Sequence, residues 1–273
     1  MKHSYHIGAP VELLLIITFL LAIFLYIGAG VKSSTRSYLK KWPASRYAFW
    51  IFGVISASTA VVGPLAARAH SDFTAHMVGH LLLGMLAPLL LVLAAPMTLL
   101  LRTLSVTKAR QLAFLLKSPP VRTVSHPIVA SILNIGGLWV LYTTDLYAAM
   151  QANALLHLAV HIHVFLAGYV FTAAMIYIDP APHRLGFVYR TVVFIIALAG
   201  HAILSKYIYA HPPNGVPAEQ AEEGGMLMYY GGDAIDLVLI CILCFQWYKS
   251  TRPRAPLSAP TRKHPKGKHL RSV

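Results

Sequence analysis

Apolar residues in this chain come in long runs rather than in stripes. Seven runs, at about 11–31, 47–67, 74–95, 126–144, 152–178, 187–209 and 225–248, approach the roughly 20 helical residues that cross hydrocarbon about 30 Å thick. Lipid offers no partner to an open strand edge, so helix is the conformation they predict. The first run is longer than the usual apolar core of a secretion signal, and only Lys2 precedes it as a positive charge; it reads as a retained helix. The stretch Pro96–Arg122 exceeds a simple turn, and Met97–Leu104 reads as a continuation of the third helix or as a segment lying along the interface. The expected fold class is therefore all-α: a polytopic membrane protein with seven transmembrane helices in one bundle over residues 1–248, followed by a basic tail over 249–273.

Composition agrees. The chain is 57% hydrophobic and 12% charged, with a mean hydropathy of +0.61, about half the charge of an ordinary soluble domain. Its formal charge of +14 would raise nucleic-acid binding in a soluble protein. Here the positions of the charges give another meaning. The first loop holds Lys32, Arg36, Lys40, Lys41 and Arg46, and the third holds Arg102, Lys108, Arg110, Lys117 and Arg122. With Arg184, Arg190 and the tail from Lys249 onward, 20 of the 23 Lys and Arg residues fall on one side. An excess of this kind marks the cytoplasmic side, so the N-terminus is expected outside and the C-terminus in the cytoplasm. The tail is expected to be disordered, lying against the anionic head groups of the lipid bilayer, with no nucleic-acid partner. Cys241 and Cys244 are the two cysteines, and their place in an apolar run argues against a disulfide framework.

The candidate chemistry lies in polar residues inside the spans, which are costly in lipid and mark sites or pathways. Asp72, His76 and His80 follow at i, i+4 and i+8 along the third helix, which predicts one shared face. His157 and His161 repeat the i, i+4 spacing near the outer end of the fifth helix, while His163 points elsewhere. His201 lies about eight residues before the outer end of the sixth helix and Asp233 about eight after the outer start of the seventh, roughly 12 Å deep at 1.5 Å per residue. Four helices thus bring polar groups to one level of the outer leaflet. A lone intramembrane His is usually a packing or hydrogen-bonding residue. Two i, i+4 pairs at matched depth predict instead a metal or haem site, because two imidazoles on one face can converge on one ion. Imidazole suits copper, zinc, iron or nickel, and thioethers such as Met77, Met85, Met226 and Met228 favour Cu(I). For any single one of these methionines, core or lipid-facing filler is the default.

His76-Met77-Val78-Gly79-His80-Leu81-Leu82-Leu83, followed by Ala87-Pro88 and Pro96, resembles the third-helix motif of the CtaG family of bacterial membrane proteins. The fifth helix is similar too, with His157, His161, Gly168, then Asp179-Pro180 and Pro182, as is the start of the seventh, Gly225-Met226-Leu227-Met228 with Gly231-Gly232-Asp233. Gly79 and Tyr229 stand where the family often has Gln and Trp, and Glu222-Glu223 where it tends to have Asp-Gln. The resemblance implies a multi-pass protein of the bacterial cytoplasmic (inner) membrane that assists assembly of cytochrome c oxidase, a role concerned with the copper centres.

The residues and the resemblance together point to a copper chaperone. Its metal site draws on His76, His80, His157, His161 and His201 with Asp72, Asp233 and Met77, and its partners are cytochrome c oxidase subunits or a periplasmic copper carrier. Asp72 and Asp233 would orient imidazoles or attract the cation, and the outward loop with Glu219, Glu222 and Glu223 would help the latter. Two other functions are compatible. One is an electron-transfer protein holding haem b between the third and fifth helices, with Gly79, Gly84 and Gly168 making room for the macrocycle. The other is a proton or cation pathway, which needs polar groups through the full thickness, whereas the cytoplasmic halves of these helices look dry. No nucleophile elbow, phosphate-cradling glycine loop or H-E-x-x-H is present, so no enzyme is expected. Two weaker signals remain. Cys241-Ile242-Leu243-Cys244 reads by default as small buried residues, or else as a metal relay from the inner side, and Met1-Lys2-His3, with His6 nearby, could wrap Cu(II) in a square of nitrogens.

Overall fold

The computed structural model describes residues 9–181 and 183–252, and every regular element among them is helical. The Met1-Lys2-His3 terminus, His6, Pro182 and the basic tail from residue 253 onward lie outside the described residues. The helices are α1 (Ala9–Ser34), α2 (Ala44–Val61), α3 (Pro64–Ala69), α4 (Phe73–Leu93), α5 (Pro96–Thr103), α6 (Val106–Leu116), α7 (Pro119–Val124), α8 (Pro127–Thr143), α9 (Leu146–Ala152), α10 (Ala154–Ile176), α11 (Phe187–Ala210) and α12 (Ala218–Thr251). Local chemistry sets many of the boundaries. Proline occupies the first turn of α3, α5, α7 and α8, where its missing N–H costs nothing. Asn153 caps α10 by accepting from the amides of Leu155 and Leu156. Left-handed Ala95 (φ 54°) breaks α4 from α5, and left-handed Tyr177 (φ 39°) closes α10.

Five helices are long and apolar enough to cross a membrane: α1, α4, α10, α11 and α12. The pair α8–α9, bent by 79° where the chain turns after Thr143, makes a sixth candidate. α2, at the place of the expected second span, is 18 residues long and is not among them, its apolar character lowered by Arg46 with Ser45, Ser56, Ser58 and Thr59. The last helix runs to Thr251, past the end of the expected span. α5 is not a continuation of α4, because the chain turns at Ala95. The protein is a multi-pass membrane protein, and its surface fits that medium: Leu14, Phe24, Leu25, Leu155, Ile196, Tyr230 and Phe245 all expose more than 60% of their area, large apolar side chains that lipid would cover.

The connections gather at two ends. At one end Phe73 donates its amide to Gln220 Oε1 (2.9 Å), Thr74 donates to Glu223 Oε2 (3.2 Å), and Asn214 bonds Asp145. At the other, Asp179 accepts from the amides of Met97 (3.1 Å) and Thr98 (2.7 Å), capping α5; Arg190 bonds the carbonyl of Met175; and Gln246 bonds that of Ile176. Between the first loop and α5, Arg36 donates to the carbonyl of Arg102, and Arg102 donates to the carbonyl of Lys40. The basic loops therefore sit together at this second end. α1 is fastened to the bundle through Tyr26, which donates to Ala94 O (2.6 Å), accepts from Trp42 Nε1 (3.1 Å) and stacks on Trp50 at 4.4 Å.

α4 is the hub, touching α2, α10 and α12. Its apolar stretch is 61% buried inside the protein, against 11% for α1. Apolar helices gain nothing by hiding from lipid, so close packing of small residues has to hold them together. α4 and α10 meet at Gly84 and Gly168, where a Cβ on Gly168 would fall on the carbonyl of Gly84. α12 carries two glycine pairs seven residues apart. Gly224 and Gly231 face Phe73, Met77 and Leu81 of α4; Gly225 and Gly232 face Ser205, Tyr209 and His201 of α11. Directly after His80, α4 widens into a π-helical turn over Leu81–Leu86. α8 has a second π-turn at Ile132–Gly136, and its Leu133 carbonyl accepts from His163 Nε2 at 3.0 Å. Such turns are rare and cluster at functional sites.

Gly168→Ala should lower the stability of the detergent-solubilised protein by about 1–3 kcal/mol, the usual cost of overpacking. Gly28→Ala, where a Cβ meets nothing within 4 Å, should change it by no more than about 0.5 kcal/mol. Thermal unfolding followed by circular dichroism checks both.

Candidate metal centre

The α4–α10 crossing decides which imidazoles meet. His76 precedes Gly84 by eight residues and His161 precedes Gly168 by seven, so both lie roughly 10–12 Å from the crossing on the same side. Their ring centres are 6.3 Å apart. His157 stacks on His161 at 4.3 Å with the planes 14° apart, and exposed His70, just after α3, lies against His157 at 4.8 Å with the rings tilted by 33°. Deeper in, His80 lies 6.4 Å from His201, their rings 26° from parallel. His201 fits because Gly232 has no side chain, since a Cβ there would come within 2.6 Å of the ring. The order from the surface inward is His70, His157, His161, His76, His80, His201.

These residues make a file rather than a knot. Among the described residues, no three of His, Cys, Asp or Glu converge so as to hold one ion. An ion about 2 Å from each of two ring nitrogens keeps the ring centres roughly 5–6.5 Å apart, the spacing of the His76–His161 and His80–His201 pairs. Two small cavities lie along the file, each of about 20 Å³. His76, His80, Tyr142 and His161 line the outer one; His80, Met85, Asn134, His201 and Asp236 line the inner. His80 borders both. Beyond the inner cavity the packing is apolar, built from Phe171, Met175, Val193, Phe194, Leu239 and Leu243.

Hydrogen bonds set ring chemistry along the file. The His161 Nδ1 contact to the carbonyl of His157, at 2.9 Å, requires the proton on Nδ1, because a carbonyl only accepts. Nε2 of His161 is left with its lone pair free, the state in which imidazole binds a metal. The same carbonyl-fixed tautomer is the usual support for a metal-bound histidine. His76 Nε2 shares a hydrogen bond with Tyr142 Oη at 3.1 Å. Nε2 of His80 and of His201 has no partner.

The remaining sequence candidates fall outside this arrangement. Asp72 is the N-cap of α4: its Oδ1 accepts from the amides of Thr74 (2.9 Å) and Ala75 (3.3 Å), and its Oδ2 lies 3.6 Å from Arg68. It lines neither cavity, its side chain being spent on the cap. Asp233 is exposed on α12, while Asp236, one turn further, lines the inner cavity at 5% exposure. Met77 is fully buried beside Gly224 and borders neither cavity. His163 is exposed and serves the α8 carbonyl. Cys241 and Cys244 are both free and exposed rather than buried. Sequence reasoning missed His70, Tyr142, Asn134 and Asp236; for Asp236 the signal was its spacing of four from Gly232. Tyr142→Phe, which leaves His76 Nε2 without its buried partner, should destabilise the protein by about 1–3 kcal/mol, and thermal unfolding measures this.

Over 168 residues the chain is 32% identical to an uncharacterized protein of Mycobacterium leprae, a stretch covering 59% of this chain and 26% of that protein. It is 34% identical to uncharacterized proteins of Mycobacterium bovis and Mycobacterium tuberculosis, again over 59% of the chain and 25% of each. The match thus spans about a quarter of the length of these relatives. No solved structure matches. A family model covers residues 24–250, from the middle of α1 to the end of α12, and by that match the chain belongs to the cytochrome c oxidase caa3 assembly factor family.

Proposed function

We propose that this protein is an assembly factor for cytochrome c oxidase that binds copper through its histidine file and passes it to an oxidase subunit or a periplasmic carrier. Family membership supports the oxidase side of the proposal. The copper side is carried by one observation: His161, its Nδ1 held on the carbonyl of His157, lines the cavity that it shares with His76, at a ring spacing that fits one bridging ion. A two-imidazole seat leaves coordination positions open, as a cargo that must be given up requires, whereas a closed four-ligand site serves structure. The Tyr142 hydroxyl holds His76 in the absence of an ion and yields its hydrogen bond when one binds. His157 and His70 extend the route to the surface, and exposed Glu223 of α12, bonded to Thr74 at the same end of α4, adds negative charge that would attract a cation.

Seven spans complete the proposal, with α2 as the second and α8–α9 as the fourth, in the bacterial cytoplasmic membrane. The basic loops face the cytoplasm, as the Lys and Arg distribution favours. The file then opens toward the periplasm. Cavities of about 20 Å³ suit an ion or a single water far better than a haem macrocycle, and the dry packing beneath them argues against conduction through the bilayer.

Copper analysis of the detergent-purified protein tests the assignment. Wild type should retain or take up copper, and the His76→Ala, His161→Ala double variant should lose the portion bound between α4 and α10. Absence of copper from the wild type, or uptake unchanged in the double variant, rejects it; a Soret band in the same sample would turn the assignment to haem.

A further inference from the structure

The inner cavity has features that the outer pair does not explain. His80 and His201 are 6% and 4% exposed, and both Nε2 atoms are buried without a partner. Leaving such an atom unpaired costs about 1–3 kcal/mol, and native proteins usually answer the need with water or an ion. Asp236 adds a carboxylate at 5% exposure, and no Lys or Arg lines the cavity to neutralise it. A carboxylate buried in a membrane protein calls for a partner. The volume of about 20 Å³ admits a body the size of a water.

Met85 completes the set, and the π-turn explains why it is there. His80 and Met85 are five residues apart, which in an α-helix turns them about 140° from each other. The widened turn over Leu81–Leu86 closes i to i+5 contacts instead, and both side chains line one cavity. We infer that His80, His201 and Met85 form a second, internal seat for a soft monovalent cation of the Cu(I) class, with Asp236 supplying the balancing charge. Two neutral imidazoles and a thioether carry no charge, so one carboxylate neutralises a +1 ion and leaves a +2 ion with an uncompensated buried charge, which is costly. Thioether ligation favours Cu(I) for the same seat. The carboxylate acts by charge, so the seat does not require three of His, Cys, Asp or Glu on one point. The inference rests on the proposed function for the route by which the ion arrives, His80 being the wall common to both cavities, but not for the seat itself.

Anaerobic Cu(I) titration of the full chain in detergent, against a chromophoric Cu(I) chelator, tests it. Wild type should bind two equivalents, and the His76→Ala, His161→Ala variant one. His201→Ala should also bind one. Asp236→Asn and Met85→Leu should weaken the inner equivalent at least tenfold, and Met85→Leu should remove sulfur scattering from its X-ray absorption spectrum. Met85→Leu conserves volume, so the test stands even where His201→Ala fails to fold. One equivalent that disappears in the His76, His161 variant and is indifferent to Met85→Leu and Asp236→Asn overturns the inner seat and leaves the proposed function standing. One equivalent lost in His201→Ala and kept in the His76, His161 variant supports the seat and overturns the outer pair. No Cu(I) bound by the wild type overturns both.

Discussion

The fold depends on how closely α4 and α10 approach at Gly84 and Gly168. Two helices in lipid have no hydrophobic reason to prefer each other to the acyl chains, so contact must come from shapes that fit. At this crossing both facing residues are glycine, so Gly168 comes against the backbone carbonyl of Gly84 while Val164 and Pro88 pack on either side. That contact fixes the relative height of the two helices and so decides which imidazole of α10 stands opposite which imidazole of α4. The glycine pairs of α12 extend the arrangement to a third and fourth helix, since one stripe seats α12 on α4 and the other seats it on α11. Smallness, repeated at the right period, is what organises the polar interior.

What the packing produces is a graded series rather than a single cage. His70 is exposed, His157 and His161 are half-buried, and His76, His80 and His201 are buried. Each neighbour in the series offers an ion no more than a few donors. Strong chelation would need several ligands brought to one centre, and the helices here are spaced so that they do not provide it. In the proposed role this is an advantage, because an ion held by two donors can leave by exchanging one of them.

Much of this was legible in the sequence, and what was not has identifiable causes. The i, i+4 pairs His76–His80 and His157–His161 announced a polar face on each helix, and counting residues from the ends of α11 set His201 at the level of His80, whose ring lies 6.4 Å from it. Depth alone pointed to Asp233 on α12, whereas the carboxylate that lines the inner cavity is Asp236. Asp233 and Asp236 differ little in height, and the face that each occupies decides; Gly232 faces α11, and a residue four further on faces the same way. Asp72 looked like the first member of the His76 face, yet an Asp just ahead of a helix is more useful as a cap, and its Oδ1 is occupied by two amides. Tyr142 comes from a helix distant in sequence, and His70, although six residues before His76, precedes the start of α4 and shares no helical period with it, so only packing could reveal them. The 79° bend after Thr143 and the π-turns have no composition of their own, and for that reason the helical runs looked simpler than the helices are.

The π-turn in α4 has a bearing on how members of this family should be compared. It amounts to one residue inserted into a helix, with the surplus absorbed over Leu81–Leu86. Everything on the His76 side of it is out of phase by that residue with everything on the Pro88 side. A homologue lacking the insertion would keep an unbroken apolar run of almost the same length, yet would rotate its Met85 equivalent toward a different neighbour. Gapless alignment across this helix would then equate residues that face different ways, and the indel, rather than any substitution, would mark where such a protein had parted from this one.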